Sequence, residues 1–163
     1  MHRSFFSLLF VIAAAVATSC DKDRVFDEYQ SLPGEWNKDS VITFKLENLD
    51  TLQNYNLFIN VRNNNDFAYS NLFLIAQIQF PYGKVITDTL EYQMAAPGGE
   101  WLGTGFGDVK ESKLWYKEQV RFNEPGRYEV SLRHAMRKSG REEGIKDLEG
   151  ITQVGFRIEN TQN

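Results

Sequence analysis

The sequence predicts an all-β domain in which two antiparallel sheets pack face to face as a β-sandwich, jelly-roll-like in its connections. Apolar residues recur with period two in almost every segment beyond residue 38, and no long helical repeat interrupts them. The alternating runs are separated by turns rich in Gly, Asn and Pro. Aromatic residues make up 13% of the chain while Pro occurs only 4 times, a balance that suits a folded, strand-rich domain better than a disordered one.

Residues 41–46 form the first predicted strand. In residues 55–62, Tyr55, Leu57, Ile59 and Val61 fall on one face and Asn56, Asn60 and Arg62 on the other, with Phe58 as the exception on the polar face. Residues 72–80 are apolar on both faces for their first half, which suits a central strand. Pro81-Tyr82-Gly83 then reads as a turn and residues 84–94 as the antiparallel hairpin partner. Leu114, Tyr116, Val120 and Phe122 share parity in the next strand, which the turn Glu124-Pro125-Gly126 closes. Tyr128, Val130, Leu132, His134 and Met136 alternate with Arg127, Glu129, Ser131 and Arg133, and Val154, Phe156 and Ile158 alternate with Gln153, Arg157 and Glu159. Only residues 144–149 look able to form a helical turn.

The N-terminus has a different character. His2 and Arg3 precede a run from 5 to 17 that is apolar except for Ser7, and Ala17-Thr18-Ser19-Cys20 follows with small residues before the polar chain begins at Asp21. A spanning helix needs about 20 apolar residues, so the run is short for one. Ordinary cleavage after Ala15-Val16-Ala17 would leave Cys20, the only cysteine, as a lone thiol in an oxidising compartment. The layout is that of a bacterial lipoprotein signal, with Cys20 as the lipid attachment point and anchor to the membrane. The expected organisation is a signal peptide over 1–19, the lipidated cysteine and a tether over 20–37, and the sandwich over 38–163. The tether assignment rests on weak periodicity and on Ser31, Pro33 and Gly34. One ordinary domain remains, large enough to stand without a disulfide. Arg3 is the only charge in the leader, so the mature chain carries 17 Lys and Arg against 22 Asp and Glu, which argues against a nucleic-acid ligand.

The loop from 97 to 108 places five glycines around Trp101 and Phe106. These two aromatics are candidates for a platform under a sugar ring or a partner, with Glu100 or Asp108 bonding its polar edge. The competing and favoured reading is structural: glycines let a crossover pass close to a sheet while Trp101 plugs its end. Gly103, Gly105 and Gly107 match neither a dinucleotide fingerprint nor a phosphate loop. Arg133, Arg137, Lys138 and Arg141 form a basic stretch suited to an acidic partner or anionic headgroups, or to a charged hairpin tip that resists edge association. His134, the sole histidine of the mature chain, reads as a hydrogen-bonded residue near the sheet rim, so neither a triad nor a zinc site is expected. Asn63-Asn64-Asn65-Asp66 reads as a turn, since it lacks the ligand spacing of a calcium loop. Asp88 and Glu91 fall on opposite strand faces, and Glu142 with Glu143 sits in a hairpin tip, so paired-carboxylate hydrolysis is not expected.

Seven segments together carry a resemblance: Tyr55-Asn56-Leu57-Phe58-Ile59-Asn60-Val61-Arg62-Asn63, Ser70-Asn71-Leu72-Phe73-Leu74, Asp88-Thr89-Leu90-Glu91-Tyr92, Trp101-Leu102-Gly103-Thr104-Gly105-Phe106, Lys113-Leu114-Trp115-Tyr116-Lys117, His134-Ala135-Met136-Arg137 and Leu148-Glu149-Gly150-Ile151. In this order they span nearly the whole mature domain, which resembles the GldH family of gliding-motility lipoproteins from Bacteroidetes-type bacteria. The resemblance implies an outer-membrane-associated lipoprotein connected with gliding and its shared secretion apparatus, and it implies no catalytic residue and no cofactor. Asp21-Lys22-Asp23 is similar to the charged signals that follow the cysteine in such lipoproteins, and equally to the solvated start of a linker. The expected function is therefore a lipid-anchored, non-enzymatic envelope component that works through contacts with other gliding or secretion proteins. A surface carbohydrate-binding lipoprotein is the alternative.

Overall fold

The computed structural model describes residues 21–105 and 107–161, so the leader, Cys20 and Phe106 lie outside the described residues. Ten strands are formed, in chain order β1 (Arg24–Ser31), β2 (Glu35–Asn37), β3 (Ile42–Leu46), β4 (Tyr55–Asn63), β5 (Asn71–Gln79), β6 (Val85–Gln93), β7 (Lys110–Val120), β8 (Tyr128–His134), β9 (Asp147–Glu149) and β10 (Ile151–Asn160). They make two four-stranded sheets, β1-β10-β4-β7 and β3-β8-β5-β6, and a small pair, β2-β9. All pairings are antiparallel. Among the eight long strands the first pairs with the last, the second with the second-last, and so inward to the β5–β6 hairpin. That is a long ribbon folded at the Pro81-Tyr82-Gly83 turn and wrapped into two layers, the construction of a jelly roll.

Alternation decides which side chains meet between the layers. Leu57, Ile59 and Val61 from β4 and Val154, Phe156 and Ile158 from β10 face Phe44 of β3, Leu72, Leu74 and Ile78 of β5, and Val130 and Leu132 of β8, all buried in one continuous core. Phe44 and Phe156 stack across the gap at 6.0 Å, and Phe26 of β1 meets both edge-on or tilted at 6.5 Å. Both open sides are closed by side chains. On one, Gln30 of β1 donates to the carbonyl of Thr43 in β3 at 2.6 Å. On the other, β7 and β6 are joined through Tyr116, Lys117 and Asp88.

Two expectations are corrected. Residues 21–37 are not a spacer: β1 pairs along β10 from Arg24 to Ser31, and Trp36 in β2 is fully buried opposite Leu148 of β9. The outward Asp27 and Tyr29 of β1 are partly covered while its inward Gln30 is polar, so neither parity reads as apolar and the segment resembles a linker in sequence. Residues 144–149 likewise form no helical turn. Leu148 is drawn into the core to cap one end of the sandwich with Trp36, and the chain then turns at Gly150. Gly150 has φ +84, and a Cβ there would stand 2.0 Å from the backbone nitrogen of Phe67, so only glycine fits.

Candidate functional site

The wrapping sorts the loops onto two ends. One end gathers the start of β1, residues 47–54, 80–84 and 121–127, and the end of β10. The other gathers residues 64–70, 94–105, 107–109 and 135–146 with β2 and β9. A nine-residue strand separates them by roughly 30 Å.

Trp101 lies at the second end, half-buried. Its ring packs 5.9 Å from Phe67, which meets Tyr69 at 5.7 Å, and its Nε1 donates to Asn65 Oδ1 at 3.2 Å. Glu100 and Asp108 are exposed on either side of the loop, and Phe106 lies outside the described residues. Tyr69 in turn lines a groove of about 410 Å³ with Lys138, Arg141, Glu143, Asp66 and Asp147. Arg137 borders an adjoining hollow of about 280 Å³ with Lys38, Asp39 and His134. The aromatic loop and the basic hairpin, separate candidates in sequence, thus occupy one end and meet through Phe67 and Tyr69.

His134 is buried against Trp36, ring centroids 5.6 Å apart, and its Nδ1 accepts from the Met136 N–H at 3.4 Å. Burial pushes the imidazole below its ordinary pKa, with the Trp36 and Lys146 backbone pulling the other way. The packed imidazole braces the end cap. Asp88 accepts from Tyr116 at 2.8 Å and pairs with Lys117 at 2.9 Å. Burial alone would raise its pKa, but those two partners hold it below the usual carboxylate value. Glu91 faces away and accepts from Asn71 at 3.1 Å. Among the described residues no cluster of three or more His, Cys, Asp or Glu is arranged to hold a metal.

The outer face of the β1-β10-β4-β7 sheet holds a constellation that no local motif announced. Arg157, whose side chain is 13% exposed, donates to Asp27 at 2.8 Å and Glu159 at 2.6 Å and also pairs with Asp21. Lys113 bonds Glu159 at 2.6 Å and lies 4.1 Å from the centroid of Phe58. Phe58 packs 4.3 Å from Trp115, which remains 52% exposed. Gly155 leaves room for the Tyr29 ring to lie across the sheet, where Asn60 donates to its hydroxyl at 2.9 Å and Arg62 sits 4.5 Å above it. The sequence signal for this face was Phe58, the single break in the alternation of β4.

Comparisons with known proteins bear on the whole domain. Among solved structures, a chain titled "Structure of infectious bursal disease virus Gx strain" aligns at a TM-score of 0.44 and 15% identity over 87% of this chain. This chain spans 33% of the viral one. A curated relative from Christiangramia forsetii, named "Gliding motility lipoprotein GldH homolog", is 60% identical over 163 residues, all of both chains. A second, "Gliding motility lipoprotein GldH" from Flavobacterium johnsoniae, is 54% identical over 151 residues, 93% of this chain and 94% of its own. The family model described as GldH lipoprotein matches residues 24–158, from the first strand to the last, and the chain belongs to the GldH lipoprotein family.

Proposed function

We propose that this protein is anchored to the cell envelope, at the outer membrane, by acylation of Cys20, and serves the gliding and secretion-associated apparatus through protein contacts without catalysing a reaction. The observation that carries the reading is identity of 60% and 54% across essentially the whole length of two gliding-motility lipoproteins. The geometry supports the division of labour. The chain leaves Cys20 and enters β1 at one end of the sandwich, so the far end, with the Trp101 loop and the groove beside Lys138, points away from the anchor.

A partner dock at that far end accounts for Arg137, Lys138 and Arg141 in an otherwise acidic domain, where cations at a rim steer encounter with an acidic surface. Cross-linking in cells followed by affinity recovery tests the reading. Recovery of envelope or secretion proteins by the native chain, reduced when Arg133, Arg137, Lys138 and Arg141 are all replaced by Gln, is the expected result. Recovery of no such protein would sink it. Separately, Cys20→Ala should leave the membrane fraction for the aqueous phase on detergent partitioning. Retention in the membrane fraction would end the acyl-anchor reading.

The second reading, a surface carbohydrate binder, is favoured by Trp115, a half-exposed indole backed by Phe58 on a flat sheet face. A glycan array separates the two. Sugar binding lost in Trp115→Ala or Trp101→Ala would establish it, and an empty array would remove it.

A further inference from the structure

The first described residues are clamped to the fold. Asp21 pairs with Arg157, the Arg24 N–H reaches the Asp21 carbonyl at 3.4 Å, and the Asn160 N–H donates to the Asp23 carbonyl at 2.8 Å. One peptide unit spans about 3.8 Å, so an acyl chain borne by the residue bonded to Asp21 has no leash. The bilayer surface must then pass across the end of the sandwich built from residues 47–54, 80–84 and 121–127.

That end carries exposed apolar side chains at its tips. Leu52 in the β3–β4 loop is 74% exposed, and Tyr82 in the β5–β6 turn is 72% exposed with Val85 beside it. Both tips are braced from within the same end. Arg121 donates to the Leu52 carbonyl at 2.8 Å, and the Tyr82 N–H donates to Glu124 at 3.0 Å. The end carries no excess of cations: Arg127 pairs with Glu47 at 3.0 Å, and Lys22, Arg24, Lys84, Arg121 and the Arg157 that holds Asp21 are equalled in number by Asp21, Asp23, Asp50, Glu124 and Glu159. A surface without excess positive charge does not approach lipid by electrostatic attraction. Braced apolar tips beside a short anchor do it by burying area at the headgroup–acyl boundary.

We infer that Leu52 and Tyr82 form a second, direct contact with the lipid surface, which holds the domain upright on the bilayer. The inference rests on acylation of Cys20. Because the acyl group alone retains the protein, the contact is read as orientation and depth, not as affinity.

The test uses the full lipoprotein extracted from its membrane and reconstituted into phosphatidylethanolamine–phosphatidylglycerol vesicles. Gln53→Cys carries an environment-sensitive fluorophore next to Leu52, and Ser139→Cys carries it at the far end. Acylated Cys20 does not react, so each label is single. Flotation with the vesicles is checked first. The expected result is a blue-shifted label at position 53, quenched about twofold or more by spin-labelled acyl chains that reach the boundary some 5–10 Å deep, with position 139 unaffected. High salt should leave the quenching unchanged, and adding Leu52→Asp with Tyr82→Asp should abolish it while flotation persists. A floating protein whose label at 53 behaves like that at 139 overturns the contact and spares the anchor. Quenching lost in high salt overturns the apolar basis, and failure to float overturns the anchor and this inference together.

Discussion

The outer faces of the two large sheets are built on different plans. That of β3-β8-β5-β6 meets water through exposed polar side chains such as Lys45, Gln77, Thr87 and Arg133, set around the half-buried Phe73 and Ile75 of β5. That of β1-β10-β4-β7 buries Phe58 and Asn60 beneath a lattice of Arg62, Lys113, Trp115 and Arg157, and so acts as a thin second core. The difference teaches that an outward position in a strand is not by itself a surface position. On one sheet most outward polar residues are solvated, and on the other they hold neighbouring strands and the start of the chain in place.

Phe58→Ala should break the comparison most strongly. Phe58 is 2% exposed, with Trp115 at 4.3 Å and the Lys113 ammonium at 4.1 Å. Truncation removes most of a buried aromatic and strands both neighbours over a void, at a cost of about 3 kcal/mol in equilibrium urea unfolding. A loss below about 1 kcal/mol would mean that Trp115 collapses into the gap and the lattice is no more than surface.

Arg157→Met comes next, at about 2 kcal/mol at neutral pH. Losing the guanidinium leaves Asp27 and Glu159, both largely covered, without their shared partner, while the half-exposed position of Asp21 adds little. Arg157 is also the first cause of the lowered pKa of Asp21. A carboxyl with a depressed folded pKa contributes stability above its unfolded pKa and loses it as pH falls through the folded one. The small share of the gap that Asp21 carries should therefore fade below about pH 4, as its carboxylate protonates. A gap that stays constant down to acid pH would show that the Asp21 pair carries none of it.

The same contrast explains what the sequence could reveal. β6 and β8 were legible because one face met the core and the other met water, and β5 because its apolar run ends at the Pro81-Tyr82-Gly83 hairpin turn. β1 was not, because its outward Tyr29 and Asp27 are themselves covered and its inward Gln30 reaches across to β3, so neither parity reads as apolar. Arg157 was invisible as a hub because its partners Asp27 and Asp21 are 130 and 136 residues away, and wrapping of the ribbon alone brings them together. Trp101 and Lys138 stand out in the sequence as candidates. Their shared end was hidden, since only the crossing of β6–β7 and β8–β9 connections unites them. The expected helical turn at 144–149 failed for a simpler reason: Ile145 and Leu148 stand three residues apart, a spacing that fits one helical turn as well as a strand that sends Leu148 into the core.

At the edge between the sheets the expected effects are smaller. Asp88→Asn exchanges a charge held by Lys117 and Tyr116 for a neutral amide, which should cost about 1 kcal/mol near neutral pH. Asp88 has a lowered folded pKa, so its contribution is present above the unfolded value of 3.8 and is lost on acidification through the folded value; the variant should lack that acid limb. The alkaline limb has the opposite sign. Burial pushes Tyr92 up to about 12, and burial, aided by the Asp88 charge, raises Tyr116 further. Their contribution is full below the ordinary tyrosine pKa of 10.0 and declines as pH rises toward 12 and beyond. Tyr92→Phe should flatten stability between those values. An unchanged alkaline slope would show that this edge opens before the tyrosines ionise.

The smallest effect is the most discriminating for the comparison. Gln77 donates to Thr87 at 3.0 Å across β5 and β6, but both side chains are exposed and water replaces either partner at little cost. Gln77→Ala should therefore shift stability by less than about 0.5 kcal/mol, although it sits at an outward position of a central strand as Phe58 does. Its strand neighbours already carry the packing through Ala76 and Ile78 on the inward side. A cost above about 1 kcal/mol would show that this face, too, is held together by its side chains, and the distinction between a solvated sheet and a clad one would fall.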